Sequence, residues 1–227
     1  MSSGTTHDEN HPGYFDVEAF ILAGGTSSRM GRAKHLLDFE GEPLICRMAE
    51  IAKPLVKSVA IVGATEIHLP AAIRAIPDDD LGIPREEGRS NGPLVGIATA
   101  LAHSRSEWNL ILACDLPYVT RDWLAWLFRR AATSQAQIVM PVTDRGPEPL
   151  AAIYRRNCRQ TIIRSLEDGI RKVTAAVSRL EVETVHQSEW RHIDPEDLVL
   201  RNMNNPADYE EARLWRAKRM HGAAEVR

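Results

Sequence analysis

The sequence is short of cysteine and of long apolar runs. Cysteine occurs only as Cys46, Cys114 and Cys158, which are far apart and form no Cys-x-x-Cys pair. This argues against a structural metal site and favours a reducing compartment. No apolar run approaches the roughly 20 residues that span a bilayer, and residues 1–14 lack the apolar stretch of a signal peptide. We therefore expect a cytoplasmic protein with a disordered lead-in over residues 1–14.

An excess of positive charge is also missing, since the formal net charge is −3. A nucleic-acid-binding protein would need a concentrated basic face, and the sequence shows none beyond a single loop. We expect neither nucleic acid nor membrane as a partner. The 227 residues suffice for one α/β domain with a sizeable core, and no linker divides the chain. Residues 15–227 are therefore predicted to form a single domain.

The most informative stretch is residues 17–37, where an apolar run ending at Leu22 is broken by Gly24 and Gly25. Hydroxyl side chains and the cations Arg29, Arg32 and Lys34 follow, and no acid occurs between residues 19 and 37. The run is too short for a helix and reads as a buried strand. Glycines let the main chain approach an anion closely, and exposed N–H groups form a cradle. The stretch therefore predicts a phosphate-binding loop after the first strand.

Two common phosphate motifs do not fit this loop. In a P-loop, Lys follows the last glycine and precedes Ser or Thr, whereas Arg32 follows Gly31 here and His35 follows Lys34. The dinucleotide fingerprint needs Gly-x-Gly-x-x-Gly, which the adjacent pair Gly24-Gly25 does not supply.

Predicted strands and helices alternate along most of the chain. Further strands are expected at 58–62, 75–77, 108–113, 138–140, 149–154, 181–185 and 199–203. Helices are expected from Pro43, over 66–74, from Gly92, over 122–130, over 157–180 with a break near Gly169, and after the cap Asn205-Pro206. The pattern predicts a Rossmann-like three-layer α/β fold with a mostly parallel, doubly wound sheet and an antiparallel strand in the C-terminal third. The polar segment 78–91 is predicted to be an active-site flap.

Asp115 follows the most apolar strand directly. Ligands of open α/β sheets bind outside the carboxyl ends of the strands, where this carboxylate would hold Mg²⁺ against phosphates. Magnesium takes one or two carboxylates plus substrate oxygens, so one acid is sufficient. A turn or helix-capping aspartate is the alternative. Cys114 is interpreted as a small buried residue, and His35, His103 and His186 have no partner at catalytic spacing.

Several segments together resemble the molybdenum cofactor guanylyltransferases, a MobA-like nucleotidyltransferase family. Residues 22–34 are similar to its Leu-Ala-Gly-Gly-x-Ser-x-Arg-Met-Gly-x-x-Lys signature, and residues 113–117 to its Cys-Asp-x-Pro segment. Residues 91–96 resemble its Gly-Pro-Leu-x-Gly turn, and residues 202–206 its Asn-x-Asn-x-Pro motif. The resemblance extends from about residue 17 to the last predicted helix.

The resemblance implies transfer of GMP from GTP to molybdopterin phosphate, with Mg²⁺ as the cofactor and transient contact with other molybdenum cofactor proteins. It implies catalytic roles for Lys34, Arg29 and Asp115, with Asp115 as the metal ligand. The implied nucleotide-binding residues are Leu22, Ala23, Gly24, Gly25, Lys34, Asp78, Gly92, Pro93 and Asp115, and the implied pterin-binding residues are Asn202 and Asn204.

The chain departs from the family pattern at Ala33, where an aspartate is often found, and at Val62, where some members have a polar side chain. Cytidylyltransferase relatives tend to have Leu-Ala-Ala-Gly in the first loop and Asp-Gln-Pro after the central strand. Gly24 and Leu116 stand at those positions here, the pattern of the guanine users. A cytidylyltransferase, a sugar-1-phosphate nucleotidyltransferase and a non-catalytic nucleotide or cofactor carrier are the alternatives.

Overall fold

The computed structural model describes residues 15–23, 39, 41–63, 69–70, 73–77, 81 and 92–224, with only the main chain for 219–224. Its strands are β1 (Phe15–Leu22), β2 (Val56–Val62), β3 (Arg74–Ile76), β4 (Trp108–Ala113), β5 (Ile138–Thr143), β6 (Gly146–Pro147), β7 (Ala151–Arg155) and β8 (Val182–His186). Its α-helices are α1 (Leu44–Ala52), α2 (Gly92–His103), α3 (Arg121–Thr133), α4 (Cys158–Glu167), α5 (Val173–Val177) and α6 (Pro206–Ala224). The predicted lead-in 1–14 lies outside the described residues.

The strands form one mixed sheet in the order β3-β2-β1-β4-β7-β5-β6, with β8 paired to β5. Strands β1 to β4 pair in parallel, as do β5 and β8. Strand β7 is antiparallel to both of its neighbours, β4 and β5, and β6 is antiparallel to β5. The predicted mostly parallel sheet with an antiparallel strand in the last third is confirmed.

Helices cover both faces of the sheet, so the central strands are apolar on both sides. In β1, Ala19 and Ile21 face the core that α1 and α3 cover. Phe20 and Leu22 face the opposite core, which is covered by α2, α4 and α5. This arrangement explains why residues 19–22 of β1 form a continuous apolar run rather than an alternating one.

The last helix packs over a third, smaller cluster that contains Phe39, Tyr118 and Met203. Its start is capped as predicted, because the Asn205 side chain accepts a 3.0 Å hydrogen bond from the main-chain N–H of Asp208. The Asp208 carboxylate in return accepts hydrogen bonds from the main-chain N–H groups ahead of the helix. This reciprocal pattern satisfies donors that a helix start otherwise leaves unpaired.

Two predicted elements differ from the structure. Residues 199–203, predicted as a strand, form an irregular segment without strand pairing. Its apolar side chains Val199, Leu200 and Met203 are buried, but the main chain is fixed by other groups: the Asp194 carboxylate accepts the N–H of Val199 at 2.9 Å. The predicted helix 66–74 lies mostly outside the described residues, and Arg74 belongs to strand β3.

The buried carboxylate of Glu18 joins β1 to the loop between α2 and β4. It accepts hydrogen bonds from the main-chain N–H groups of Arg105 at 2.5 Å and Ser106 at 3.0 Å. The hydroxyls of Ser58 and Ser104 donate to it at 3.0 and 3.1 Å. Burial raises the pKa of Glu18, but these hydrogen bonds outweigh burial and the net pKa is lowered.

Candidate active site

The carboxyl ends of β1, β2 and β4 meet at one edge of the sheet because these strands are parallel. Two main-chain hydrogen bonds hold the chain together just beyond this edge. The N–H of Ala23 donates to the carbonyl of Val62 at 2.8 Å, and the N–H of Gly63 donates to the carbonyl of Ile76 at 2.9 Å. The side chains of Leu22 and Ala23 are buried in the core. Both residues therefore anchor the start of the glycine-rich loop.

The loop itself lies outside the described residues, together with Gly24, Gly25, Arg29 and Lys34. The predicted nucleotide-contacting Asp78 also lies outside them. So does the predicted flap 78–91 apart from Leu81, which packs against the second core. The roles assigned to these residues stay predictions.

Helix α2 begins at the same edge, at the predicted Gly92, which has a φ of 71°. A Cβ at this position would meet nothing within 4 Å, so the left-handed backbone, and not crowding, accounts for the glycine. Pro93 is exposed in the first turn, while the following residues from Leu94 are buried. A helix N-terminus favours an anion, since its N–H groups and dipole are positive.

Asp115 lies just beyond the end of β4, in the middle of the edge, with a partly exposed side chain. Its main-chain carbonyl accepts a 2.9 Å hydrogen bond from the N–H of Met203. Met203 is 1% exposed, whereas its neighbours Asn202 and Asn204 are exposed. The structure therefore brings the predicted metal-binding aspartate next to the predicted pterin-binding asparagines. The asparagines flank Met203 in an irregular segment and not, as predicted, in a strand.

The sequence reasoning missed one carboxylate at this edge, Glu148. Strands β4 and β7 pair antiparallel with Leu112 opposite Ala151. The N–H of Ala113 also donates to the carbonyl of Leu150 at 2.7 Å. Glu148 follows the β5–β6 hairpin, where its N–H donates to the carbonyl of Pro141 at 2.9 Å, and it is close enough to Asp115 for the charge of that side chain to act on it. The signal that could have revealed it is the turn-forming sequence 144–146, which predicts a hairpin and hence antiparallel pairing after β5.

Glu148 is partly buried and has polar neighbours on the same hairpin. The Thr143 hydroxyl donates to its carboxylate at 3.3 Å. Burial raises the pKa of Glu148 and the negative charge of Asp115 adds to the increase, while Arg145 and the Thr143 hydrogen bond act in the opposite direction. The Arg145 guanidinium donates to the carbonyl of Leu200 at 2.7 Å, which links the hairpin to the segment that leads to Asn202.

The carboxylate oxygens at this edge are suitable ligands for a hard cation. Carboxylate oxygens are the ligands that magnesium prefers, and magnesium usually keeps several waters and takes further oxygens from substrate phosphates. Within the described residues, no group of three or more His, Cys, Asp or Glu side chains could hold a metal ion alone. A metal bound through Asp115 would therefore need further oxygens, such as those of substrate phosphates.

The three cysteines do not have the features of reactive thiols. Cys46, Cys114 and Cys158 are all buried and form no disulfide. Burial raises the pKa of Cys46, and it raises the pKa of Cys158 to about 12. Because the thiolate is the reactive form, these two are poor nucleophiles at neutral pH. The buried position of Cys114 agrees with its interpretation as a small packing residue.

The family model for the MobA-like NTP transferase domain matches residues 19–184. A protein of Methanosarcina acetivorans named probable molybdenum cofactor guanylyltransferase is 33% identical over 198 residues, covering 85% of this chain and 88% of the relative. One of Desulfosudis oleivorans named molybdenum cofactor guanylyltransferase is 30% identical over 199 residues, covering 86% and 94%.

The crystal structure of molybdopterin-guanine dinucleotide biosynthesis protein A from Archaeoglobus fulgidus superimposes with a TM-score of 0.73 and 25% identity, covering 88% of this chain and 99% of that one. The Thermus thermophilus 2-C-methyl-D-erythritol 4-phosphate cytidylyltransferase shares the fold, with a TM-score of 0.63, 14% identity and coverage of 88% and 98%. None of the described helices is both long and apolar enough to cross a membrane. The chain belongs to the MobA-like NTP transferase family, whose members are nucleotidyltransferases.

Proposed function

We propose that this enzyme transfers GMP from GTP to the phosphate of molybdopterin, giving molybdopterin guanine dinucleotide and pyrophosphate. The choice of substrates rests on the relatives that are named molybdenum cofactor guanylyltransferase. The structural observation that carries the proposal is the hydrogen bond between the N–H of Met203 and the carbonyl of Asp115. It joins two segments of the sequence signature that are far apart along the chain.

The topology supports a site with two halves separated by β4. The nucleotide half would lie toward β1 and β2, with Leu22, Ala23, Gly24 and Gly25 at the end of β1. Asp78, Gly92 and Pro93 would complete it. The acceptor half would lie on the other side of Asp115, where Asn202 and Asn204 would contact the pterin.

The reaction joins an oxygen of the acceptor phosphate to the α-phosphorus of GTP, while the bond to pyrophosphate breaks. A phosphate monoester is largely ionised at neutral pH, so it needs no general base. The main obstacle is the repulsion between two anions. We propose that Lys34, Arg29 and the N–H groups of Gly24 and Gly25 offset it by positioning and charge neutralisation.

We propose that Asp115 holds magnesium at the α-phosphate side of the cleft. The bound ion would neutralise phosphate charge and orient the leaving group. In this proposal the Asp115 side chain would bind the ion, while its main-chain carbonyl holds the segment 200–204 through Met203.

We also propose that residues 15–227 form a single nucleotidyltransferase domain that works in the cytoplasm. The one mixed sheet formed by β1 to β8 and the family match over 19–184 support the single domain. The three free thiols support a reducing compartment.

The test is pyrophosphate release from the purified protein with molybdopterin and each nucleoside triphosphate. A site that pairs with the guanine edge rejects bases lacking that edge, because its own polar groups then go unpaired. We expect GTP to be preferred over CTP and ATP by at least about a hundredfold in kcat/KM, or roughly 2.7 kcal/mol.

Comparable rates with CTP would instead indicate a cytidylyltransferase. Consumption of sugar 1-phosphates, or GTP binding without pyrophosphate release, would overturn the proposal.

A further inference from the structure

We propose that Glu148 is a specificity-determining residue that recognises the 2-amino-4-oxo edge of the pterin acceptor. The inference rests on the proposed function and assigns one side chain to the acceptor half of the site. Three features of the structure carry it: the position of Glu148 at the sheet edge, its link to the segment with Asn202 and Asn204, and the chemistry of its carboxylate.

The position of Glu148 excludes it from the nucleotide half. In the sheet order, β1 and β2 lie on one side of β4, and β7 lies on the other. Glu148 precedes β7, at the end of the β5–β6 hairpin, and lies within electrostatic reach of Asp115. A ligand held at the end of β1 would have to cross Asp115 to reach it. The acceptor, which must approach the α-phosphorus from the far side of the leaving group, would meet Glu148 directly.

Two hydrogen bonds place Glu148 near residues 200–204, the segment that contains Asn202 and Asn204. Its main-chain N–H donates to the carbonyl of Pro141 at 2.9 Å, which fixes the residue on the β5–β6 hairpin. Arg145, on the same hairpin, donates through its guanidinium to the carbonyl of Leu200 at 2.7 Å. Leu200 is therefore tied to the hairpin and Met203 to Asp115, from which we infer that Asn202 and Glu148 lie on the same side of Asp115.

The carboxylate of Glu148 matches the edge that a pterin presents. A 2-amino-4-oxo pyrimidine ring offers two parallel donors, the N3–H and one N–H of the 2-amino group. An ionised carboxylate accepts both with its two oxygens, in the paired geometry that makes such contacts strong and selective. Among the described residues, Thr143 donates a single hydrogen bond to this carboxylate, at 3.3 Å, which leaves acceptor capacity on both oxygens.

The test compares two soluble probes that differ at this edge, pterin-6-carboxylate and lumazine-6-carboxylate, which carries a 2-oxo group in place of the 2-amino group. We expect the wild-type protein to bind the pterin at least about tenfold more tightly. In Glu148→Gln, the amide oxygen would accept the N3–H and the amide N–H would donate to the 2-oxo group. The variant should therefore prefer the lumazine. Glu148→Asp keeps the carboxylate and should keep the pterin preference.

The matched control is Glu167→Gln, which neutralises an exposed glutamate at the end of α4 and should leave the preference unchanged. With molybdopterin and GTP, Glu148→Gln should raise the KM for molybdopterin about tenfold or more while the KM for GTP stays within about twofold.

If Glu148→Gln keeps the probe preference of the wild type, and the wild-type enzyme transfers GMP, the inference alone would be overturned. Absence of both pterin binding and pyrophosphate release in the wild type would overturn the proposed function, and the inference with it. An increase in the KM for GTP alone would assign Glu148 to the guanine.

Discussion

The main-chain N–H of Met203 donates a hydrogen bond to the main-chain carbonyl of Asp115. This contact uses no atom of the Asp115 side chain, so supporting residues 200–204 would not compete with the metal binding proposed for the carboxylate. The two roles can be separated by experiment, because a side-chain substitution leaves the carbonyl in place.

Asp115→Asn should therefore fold normally but need more magnesium. The amide is nearly isosteric and neutral, so it binds a hard cation poorly. We expect half-maximal activity at a magnesium concentration at least about tenfold higher, or about 1.4 kcal/mol. The measurement is a titration of rate against magnesium, with Asp122→Asn, an exposed aspartate of α3, as the control. A superimposable titration curve would mean that the metal is held elsewhere.

Lys34→Ala should lower turnover while preserving the fold. The lysine is predicted to contact phosphate from the glycine-rich loop, and the loss of a charge-assisted contact in the transition state costs roughly 2–4 kcal/mol. Single-turnover rates at saturating substrates measure this loss. Lys53→Ala is the matched control, because Lys53 is exposed and pairs only with Glu50, at 3.1 Å, among the described residues. Near-normal rates for Lys34→Ala would remove the lysine from the mechanism.

Replacement of both Asn202 and Asn204 by alanine should weaken molybdopterin binding far more than GTP binding. Both side chains are exposed on either side of the buried Met203, so the change removes polar groups without opening a cavity. We expect the KM for molybdopterin to rise by about tenfold or more, since lost hydrogen bonds cost roughly 0.5–1.5 kcal/mol each. Asn157→Ala, at the start of α4, provides the control. An equal loss of both affinities would contradict the assignment to the acceptor half.

Glu18→Gln should destabilise the protein without altering KM for either substrate. Four hydrogen bonds to a buried carboxylate would be weakened or reversed, which should lower the free energy of unfolding by roughly 2–4 kcal/mol at pH 7. Urea denaturation measures the change. Glu50→Gln, which breaks only an exposed ion pair, should cost less than about 1 kcal/mol.

The pH dependence of Glu18→Gln gives an independent check. The pKa of Glu18 is lower in the folded protein than the ordinary glutamate value. Its contribution is therefore complete above the unfolded-state pKa of about 4.3 and is lost as the pH falls through the folded-state value. The difference in stability between wild type and variant should shrink as the pH drops below that range. A difference that stays constant down to the acid transition would show that the hydrogen bonds do not depend on the charge.

The sequence predicted the parallel part of the sheet better than the segment that follows β8. Strand β4 has the predicted bounds, and α2 starts at the predicted Gly92, because a long apolar run and a glycine breaker are local signals. The prediction of a strand at 199–203 was wrong because burial alone produces an apolar pattern. The side chains of Val199 and Leu200 are buried, but the Asp194 carboxylate and Arg145 occupy main-chain groups that strand pairing would have used. Such contacts between distant residues leave no periodicity in the sequence.

The position of Glu148 was missed for a related reason. It depends on the hairpin after β5 and on the antiparallel pairing of β7 with β4, strands separated by α3, β5 and β6. A carboxylate before a predicted strand looks like an ordinary loop residue until the direction of that strand is known. Asp115, in contrast, follows its strand directly, and the predicted parallel sheet was enough to place it at the edge.

The antiparallel direction of β7 has a consequence for how acceptor preference can change. Parallel strands bring only the residues that follow them to this edge, whereas β7 brings the residues that precede it. The loop between β6 and β7 therefore reaches the acceptor half without an intervening helix. We therefore expect that its length and side chains can change while β1, β2 and α2 keep their positions. A graft of residues 143–150 should transfer acceptor selectivity to another member of the fold and leave base selection with the host.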